Sequence, residues 1–138
     1  MSPAALATLH AAAMTVPRPW TAAEFAALLA DPATLLACRP HGFALGRVVL
    51  DEAELLTLAT DPGHRRRGIG RACLAAYETA AAARGAVRGV LEVAEDNAAA
   101  RALYTAGGYA PCGRRPGYYR AADGRAVDAL IYARPLGR

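Results

Sequence analysis

Residues 55–70 read LLTLATDPGHRRRGIG, and this stretch decides the fold. Its first six residues are apolar and partly β-branched, and Asp61-Pro62-Gly63 follows them, which predicts a buried strand that ends in a turn. Apolar residues then recur at spacings of three and four, so we predict a helix over 68–84 that ends at Gly85. Residues 87–93 are the next apolar run. The sequence therefore predicts a strand-helix-strand unit with a basic loop at its first turn.

Two glycines mark the start of the predicted helix. The first-turn amides of a helix have no intrahelical partners, and its dipole places partial positive charge there. Because Gly68 and Gly70 carry no Cβ, an anion can reach those amides. Four cations surround the same point, namely Arg65, Arg66, Arg67 and Arg71. This pattern predicts a pyrophosphate site; a capped helix start with a solvated basic turn is the alternative.

Composition limits the class of protein. The 138 residues suit one domain, 1–138, and 54% hydrophobic with 20% charged residues indicates a globular chain rather than a disordered one. The net charge of +4 suits an anionic cofactor or an acidic protein surface. Basic residues do not alternate with aromatic ones, so we expect no direct contact with nucleic acid.

The cysteines and the amino terminus indicate the compartment. Cys38, Cys73 and Cys112 are odd in number and widely spaced, which predicts neither a disulfide framework nor a zinc site among them. We expect a reduced, cytoplasmic setting. No basic segment precedes the apolar amino terminus and no run is long enough to cross a bilayer, so we expect neither a signal peptide nor a membrane anchor.

The amino-terminal half predicts helices followed by a meander. Helices are expected over 3–14 and from the capping box Thr21-Ala22-Ala23-Glu24 to Leu29. Trp20 precedes that box, where it packs as a hydrophobic staple against Phe25 or the core. Strands at 34–38 and 43–50 form an antiparallel meander with the strand at 55–60. No strand candidate precedes the first helix.

The carboxy-terminal part predicts a short helix between strands. A helix from Asn97 past Tyr104 ends with Gly107 at its C′ position. Residues 109–114 follow as an edge or bulged strand, because they contain Pro111. Residues 115–119 are expected in a loop, where Tyr118 and Tyr119 serve as rim packing or as a peptide-binding edge. Residues 126–132 form the last strand.

Polar residues interrupt the apolar pattern near the basic loop. Glu92 lies near the end of a strand that helices should cover, where a carboxylate is costly unless it is paired or wet. Ligands of open α/β sheets bind outside such strand ends. Asn97 and Tyr104 are two helical turns apart and share one face. Structural alternatives are an ion pair with an arginine for Glu92, an N-cap for Asn97 and core packing for Tyr104.

Combined, these motifs resemble the GNAT superfamily of N-acetyltransferases. Residues 65–70 are similar to the family's Gln/Arg-x-x-Gly-x-Gly/Ala loop, and Leu91-Glu92-Val93, 97–104 and Gly107-Gly108-Tyr109 resemble the second half of its core. The resemblance runs from Pro19 to Leu136 and is nearest to the RimI type, which acetylates the amino-terminal alanine of a ribosomal protein. It implies an α/β fold with a mixed, mostly antiparallel sheet flanked by helices. The family's first strand is expected to be missing or shortened.

The resemblance also implies roles for individual residues. In the family the matching glutamate, Glu92, is the general base, and the matching tyrosine, Tyr104, is the general acid toward the departing thiolate. Acetyl-CoA would contact a set of residues along the loop and the adjoining strand and helix: Leu58, Ala59, Thr60, Arg65, Arg66, Arg67, Gly68, Ile69, Gly70, Arg71 and Asn97. Trp20, Tyr118 and Tyr119 would border the acceptor.

Several functional alternatives stay open. The expected acceptor is a protein amino terminus, but a lysine or a small amine would need the same core. Gly68 and Gly70 followed by Cys73 nearly make a dinucleotide-binding G-x-G-x-x-G, with Glu92 at the spacing of a ribose-binding acid. A catalytically silent acyl-CoA sensor would keep the same residues. The expected reaction needs no metal and no covalent intermediate, and the protein is expected to be a monomer or a homodimer.

Overall fold

The structure, a computed structural model, describes residues 1–13, 18–65 and 67–137. Within these residues the helices are α1 Pro3–Ala13, α2 Ala22–Ala30, α3 Ile69–Ala83 and α4 Ala98–Ala106. The strands are β1 Thr34–Arg39, β2 Gly42–Val49, β3 Glu52–Thr60, β4 Arg88–Ala94, β5 Ala110–Arg120 and β6 Ala126–Pro135, and a 3₁₀ turn, Pro62–His64, precedes α3. None of the described helices is long and apolar enough to cross a membrane.

The strands form one sheet in the order β1-β2-β3-β4-β6-β5. β1, β2 and β3 are the predicted antiparallel meander, and α3 then crosses over to β4, which runs parallel to β3. β6 and β5 complete the sheet antiparallel to their neighbours. The predicted mixed, mostly antiparallel sheet is confirmed. The sheet is not the doubly wound sheet of a dinucleotide-binding fold, because β3 and β4 are the one parallel pair among the described strands.

β3 and β4 separate halfway along their length. Their pairing runs from Glu52 opposite Arg88 to Leu55 opposite Leu91, yet β3 continues to Thr60 and β4 to Ala94. The separation coincides with an irregularity in β3: the partners of β2 pass from Thr57 directly to Leu55. Leu56 is therefore an extra residue, and such a bulge bends its strand. The result is an open gap between the carboxyl ends of two parallel strands.

Each face of the sheet carries its own apolar cluster. α3 and α4 cover one face, where the buried side chains include Leu35, Leu55, Cys73, Leu74, Tyr77, Leu91 and Tyr104. α1 and α2 cover the other face with a smaller cluster of Leu6, Phe25, Phe43, Leu45 and Ala59. The small cluster packs partly against the strand residues that border the gap, so the amino-terminal helices support the gap from behind.

His10 connects three segments within this small cluster. The side chain is buried, and its Nδ1 accepts a hydrogen bond from the Trp20 backbone N–H at 2.9 Å. Since Nδ1 is the acceptor, Nε2 carries the proton and donates to Thr57 Oγ1 at 2.8 Å. Burial lowers the pKa of His10 to about 4, so the ring is neutral at neutral pH. No sequence pattern pointed to this residue.

The start of α2 is built as the sequence predicted. The Glu24 backbone N–H donates to Thr21 Oγ1 at 3.1 Å, and the Thr21 N–H donates to Glu24 Oε1 at 3.0 Å. The rings of Trp20 and Phe25 lie 5.4 Å apart, the contact expected of a hydrophobic staple. The capping box and the staple are confirmed.

Two predictions for the carboxy-terminal part are wrong: the loop at 115–119, and the residue that ends α4. Residues 115–119 do not form a loop, because β5 continues through them to Arg120 with a register shift between Arg115 and Tyr119. The extra residues are accommodated because Asp128 Oδ1 accepts a hydrogen bond from the Gly117 N–H at 2.8 Å, which replaces strand pairing there. The proline and glycine looked like a turn from the sequence alone.

The helix stop is misplaced by one residue. Gly107 has a φ of −80°, whereas Gly108 has the left-handed φ of +96° that the C′ position requires. The Tyr109 N–H donates to the Tyr104 carbonyl and the Gly108 N–H to the Thr105 carbonyl, which is the Schellman pattern. With two adjacent glycines, local sequence could not tell which one adopts the left-handed conformation.

We predict that His10 makes the fold sensitive to mild acid. Between about pH 6.5 and about pH 4 the unfolded chain binds a proton that the folded chain does not, so the free energy of unfolding falls as the pH falls through this window. The loss reaches at most ~3 kcal/mol. In His10→Gln this contribution disappears. Urea unfolding of both proteins at about pH 7 and about pH 5 measures it; equal losses in the two proteins would contradict the prediction.

Candidate functional site

A cavity of about 790 Å³ opens where β3 and β4 separate. The end of β3, the start of α3 and one face of α4 form its walls. Its lining includes nearly all of the residues that the sequence assigned to the cofactor, namely Leu58, Ala59, Thr60, Arg65, Gly68, Ile69, Gly70, Arg71 and Asn97. Arg66 lies outside the described residues. Arg67 lines a different cavity, on the side of the β1–β2 turn.

The start of α3 presents free backbone donors to the large cavity. Gly68 is the N-cap with a left-handed φ of +73°, and within the described residues no side chain caps the helix. The first intrahelical bond shown runs from the Ala72 N–H to the Gly68 carbonyl, so the preceding amides are available to an anion. This geometry favours the anion-site interpretation over a capped helix start.

Gly70 keeps this wall of the cavity open. A Cβ at this position would lie 3.3 Å from Leu103 Cδ2 and 3.6 Å from Thr60 Oγ1, that is, between two other residues of the lining. Arg65 and Arg71 line the same cavity, so cationic side chains and helix amides act on one volume. The arrangement suits a diphosphate better than a neutral ligand.

A second, smaller cavity, of about 80 Å³, also lies in the gap. Both separated strands line it, with Leu55–Leu58 on one side and Leu91–Ala94 on the other, and Tyr119 closes one end. Alternate residues of an antiparallel strand direct their N–H and C=O groups away from the paired neighbour. Because β3 pairs only with β2 beyond Leu55, some of these groups face the gap.

Glu92 reaches the smaller cavity from β4. Its side chain is 24% exposed, and its Oε1 lies 3.3 Å from Arg115 Nη2 on β5. The ion-pair alternative for Glu92 is therefore realised, and the same carboxylate also lines the cavity. Arg115 is 52% exposed, so this pair is screened by water and contributes little to stability. No pattern in the sequence indicated that Arg115 would be the partner.

Tyr104 and Asn97 line both cavities. Tyr104 is buried on α4, and burial raises the pKa of its hydroxyl, with a smaller contribution from Tyr119. The hydroxyl therefore stays protonated at neutral pH and can only act as a proton donor there. Asn97 is the N-cap of α4, where Oδ1 accepts from the Ala100 N–H at 3.1 Å. Asn97 is therefore also the N-cap that the sequence analysis named as its structural alternative.

One member of the tyrosine pair on β5 borders the smaller cavity. Tyr119 lines it, and burial followed by the charge of Glu92 raises the pKa of Tyr119 to about 12. Tyr118 is 55% exposed, and its ring centre lies 5.1 Å from that of Tyr119. The guanidinium carbon of Arg115 lies 5.2 Å from the ring centre of Tyr118. These side chains form the outer edge of the site.

Trp20 does not join the other predicted acceptor residues. It packs on His10 and Phe25, and it is absent from the described lining of both cavities. Conversely, the lining of the large cavity includes residues that the sequence did not single out: Asp96, Ala99, Ala100 and Leu103. The apolar face of α4 could have indicated the last three, but not that it faces a cavity instead of the core.

Comparison with known proteins agrees with this geometry. The profile of the Acetyltransferase (GNAT) family matches residues 8–109. The chain is 45% identical over 94 residues to the [Ribosomal protein bS18]-alanine N-acetyltransferase of Escherichia coli strain K12, covering 68% of this chain and 63% of that protein. It is 38% identical over 128 residues to N-alpha-acetyltransferase RimI of Mycobacterium tuberculosis, covering 86% and 77%.

A solved structure is similar over nearly the whole chain. The crystal structure of the ribosomal-protein-S18-alanine N-acetyltransferase from Escherichia coli matches with a TM-score of 0.86 at 36% identity, covering 99% of this chain and 88% of that one. The match includes the gap and the helices around it, since it spans almost all of this chain. Because the family profile covers well over half of its residues, the chain belongs to the GNAT acetyltransferase family.

Proposed function

We propose that this protein transfers the acetyl group of acetyl-CoA directly to the α-amino group at the amino terminus of a protein. The observation that carries the proposal is the meeting of two cavities at Tyr104. One is an anion-binding cavity at the start of α3, and the other holds Glu92. The names of the relatives support the same reaction, with a ribosomal protein as acceptor.

The large cavity would hold acetyl-CoA. The free amides of α3, with Arg65 and Arg71, would bind its diphosphate, and the apolar face of α4 would border the pantetheine chain. Bound there, acetyl-CoA supplies an acyl group activated as a thioester. Backbone N–H groups of Leu58 to Thr60 that face the gap would donate hydrogen bonds to the oxygen of the reacting carbonyl.

The smaller cavity would place the acceptor amine. An α-ammonium group has an unperturbed pKa near ~7.8, so Glu92 can take its proton, directly or through a water, at little cost at neutral pH. A lysine side chain near ~10.4 is harder to deprotonate. Tyr118 and Tyr119 would contact the peptide that follows the amine.

Tyr104 would complete the reaction by giving its proton to the departing sulfur. The amine nitrogen forms the new C–N bond, the C–S bond breaks, and the sulfur leaves as the free thiol with the proton of Tyr104. The proton that the nitrogen loses as it becomes an amide restores the Tyr104 hydroxyl, directly or through a water. Neither Cys73 nor Cys112 belongs to the described lining of these cavities, and the transfer uses no covalent enzyme intermediate and no metal. We further propose that residues 1–138 form one such domain, a monomer or homodimer that works in the cytoplasm without a direct contact to nucleic acid or membrane.

The amine specificity and the base can be tested together. Mass spectrometry of a peptide panel with acetyl-CoA, including amino-blocked lysine peptides and small amines, should show acetyl groups on free α-amino groups only. In Glu92→Gln, kcat should fall by about 10²–10⁴-fold, because the general base is lost. Glu52→Gln is the control. Glu52 also forms an ion pair, with Arg88, but it lies at the start of β3, at the end of the strand away from the gap.

Two outcomes would contradict this assignment. Acetylation of lysine or small amines alone would leave the family unchanged and remove the proposed acceptor. A full kcat in Glu92→Gln would remove Glu92 as the base.

Tyr104→Phe should lower kcat without unfolding the protein. The substitution keeps the buried ring and removes only the proton donor, so we expect a loss of about 10²-fold or more with little change in acetyl-CoA binding. Tyr109→Phe is a matched control, because Tyr109 is a buried tyrosine whose ring centre lies 6.0 Å from that of Tyr104. Equal rates for the two variants in single-turnover kinetics would exclude Tyr104 as the acid.

Gly70→Ala should weaken the binding of acetyl-CoA without lowering the thermal stability of the protein. The new methyl group narrows the cavity, so we expect acetyl-CoA binding to weaken by about tenfold or more. Thermal stability should be kept, because alanine favours a helix by about 1 kcal/mol over glycine. Gly107→Ala adds a methyl group with a similar nearest contact, 3.3 Å from Leu74 Cδ2, outside the described lining. Calorimetric affinities that are equal in both variants would contradict the assignment of the cavity.

A further inference from the structure

Three potential metal ligands meet before the start of α3, outside the two cavities to which the acetyl transfer is assigned. His41 lies in the β1–β2 turn, Asp61 follows the last residue of β3, and His64 belongs to the 3₁₀ turn. Each offers one ligand atom, and these atoms all lie within 4.8 Å of one another. The residues come from separate segments, and the fold brings them together.

Backbone hydrogen bonds hold this cluster in place. The Asp61 N–H donates to the His41 carbonyl at 2.8 Å, which joins the two segments. The Gly63 N–H donates to Asp61 Oδ1 at 3.0 Å, so the carboxylate is oriented and its Oδ2 lies 3.3 Å from His64 Nδ1. Hydrogen bonds of this kind orient the ligands of metal sites.

One ligand atom is buried without a hydrogen bond. His64 Nδ1 has no hydrogen-bond partner within the described part of the chain, although it is shielded from solvent. Its contact with Asp61 Oδ2 at 3.3 Å does not meet hydrogen-bond geometry, and an ion bound between the two atoms would satisfy both. His41 adopts a left-handed φ of 68°, which is unusual for a residue other than glycine, and its ring stacks on that of His64.

We propose that His41, Asp61 and His64 form a binding site for a divalent transition metal such as Zn²⁺. Two imidazole nitrogens and one carboxylate oxygen are a common donor set for such ions, and water would complete a tetrahedral shell. The site is separate from the transfer reaction, which needs no metal. Its effect is to connect the β1–β2 turn to the segment that leads into α3.

Binding requires one local rearrangement. The two imidazole rings are stacked 3.5 Å apart and almost parallel, whereas a metal is bound in the plane of each ring. With metal–ligand bonds of about 2.1 Å, ligand atoms in a tetrahedral site are roughly 3.4 Å apart, so the widest separation must shrink by about 1.4 Å. His41 is exposed, and rotation of its ring achieves this at low cost.

Nearby charges set the strength of the site. Arg39 and Arg67 line an adjoining cavity of about 410 Å³ together with the two histidines. Their positive charges oppose a bound metal ion, so the metal affinity of this site is weaker than that of a structural zinc site. The expected result is reversible binding that stabilises the folded chain in proportion to the metal concentration.

The experiment titrates the tag-free protein with Zn²⁺ in a calorimeter and with Co²⁺ in a visible spectrometer. We expect one ion per chain, visible Co²⁺ bands typical of nitrogen and oxygen ligands, and a rise in melting temperature with Zn²⁺. His41→Asn and Asp61→Asn should each weaken binding by about tenfold or more. Both variants keep the local backbone, since asparagine tolerates a left-handed φ and its amide oxygen can still accept from the Gly63 N–H.

Cys112→Ser controls for the exposed thiol, and it should bind like the unaltered protein. Loss of binding in Cys112→Ser with retention in His41→Asn and Asp61→Asn would overturn the proposal in favour of a thiol site. The absence of saturable binding to the unaltered protein would also overturn it. These readouts do not depend on acetyl transfer, so they are independent of the proposed function.

Discussion

The separation of β3 and β4 is the constraint on which the rest of the structure depends. Parallel strands normally stay paired, because an unpaired backbone N–H or C=O that is buried without a partner is costly. Here the pairing stops at Leu55 and Leu91, and both strands continue for several residues. The cost is acceptable only where water or a ligand reaches the freed groups. The gap thus provides both space and free backbone hydrogen-bonding groups.

Two features keep the gap open. The bulge at Leu56 bends β3 away from its partner. On the opposite face, the hydrogen bond from His10 to Thr57 and the contact of His10 with Trp20 tie the same part of β3 to α1 and to the start of α2. The amino-terminal helices therefore shape the site although most of their residues do not line it.

The two cavities differ in their electrostatics, and this difference orders the proposed chemistry. The start of α3 gathers positive charge from amides and arginines, whereas the smaller cavity holds the carboxylate of Glu92. Tyr104 lies between them, with a pKa raised by burial. Arg115 Nη2 lies 3.3 Å from the Glu92 carboxylate, which is 24% exposed. The carboxylate is thereby kept paired and partly wet, as a charged group in a covered sheet must be.

The sequence by itself determined the order of the elements, the glycine-containing, basic composition of the loop at 65–70 and the position of Glu92 near a strand end. These features follow from local periodicity, glycine positions and helix-capping chemistry, which depend on near neighbours. Only the tertiary structure decided that Arg115 pairs with Glu92, that 115–119 stay within a strand, and that His10 supports β3. It also placed Arg67 beside the β1–β2 turn, away from the larger cavity. Contacts between segments distant in the chain set these outcomes, and no local pattern records them.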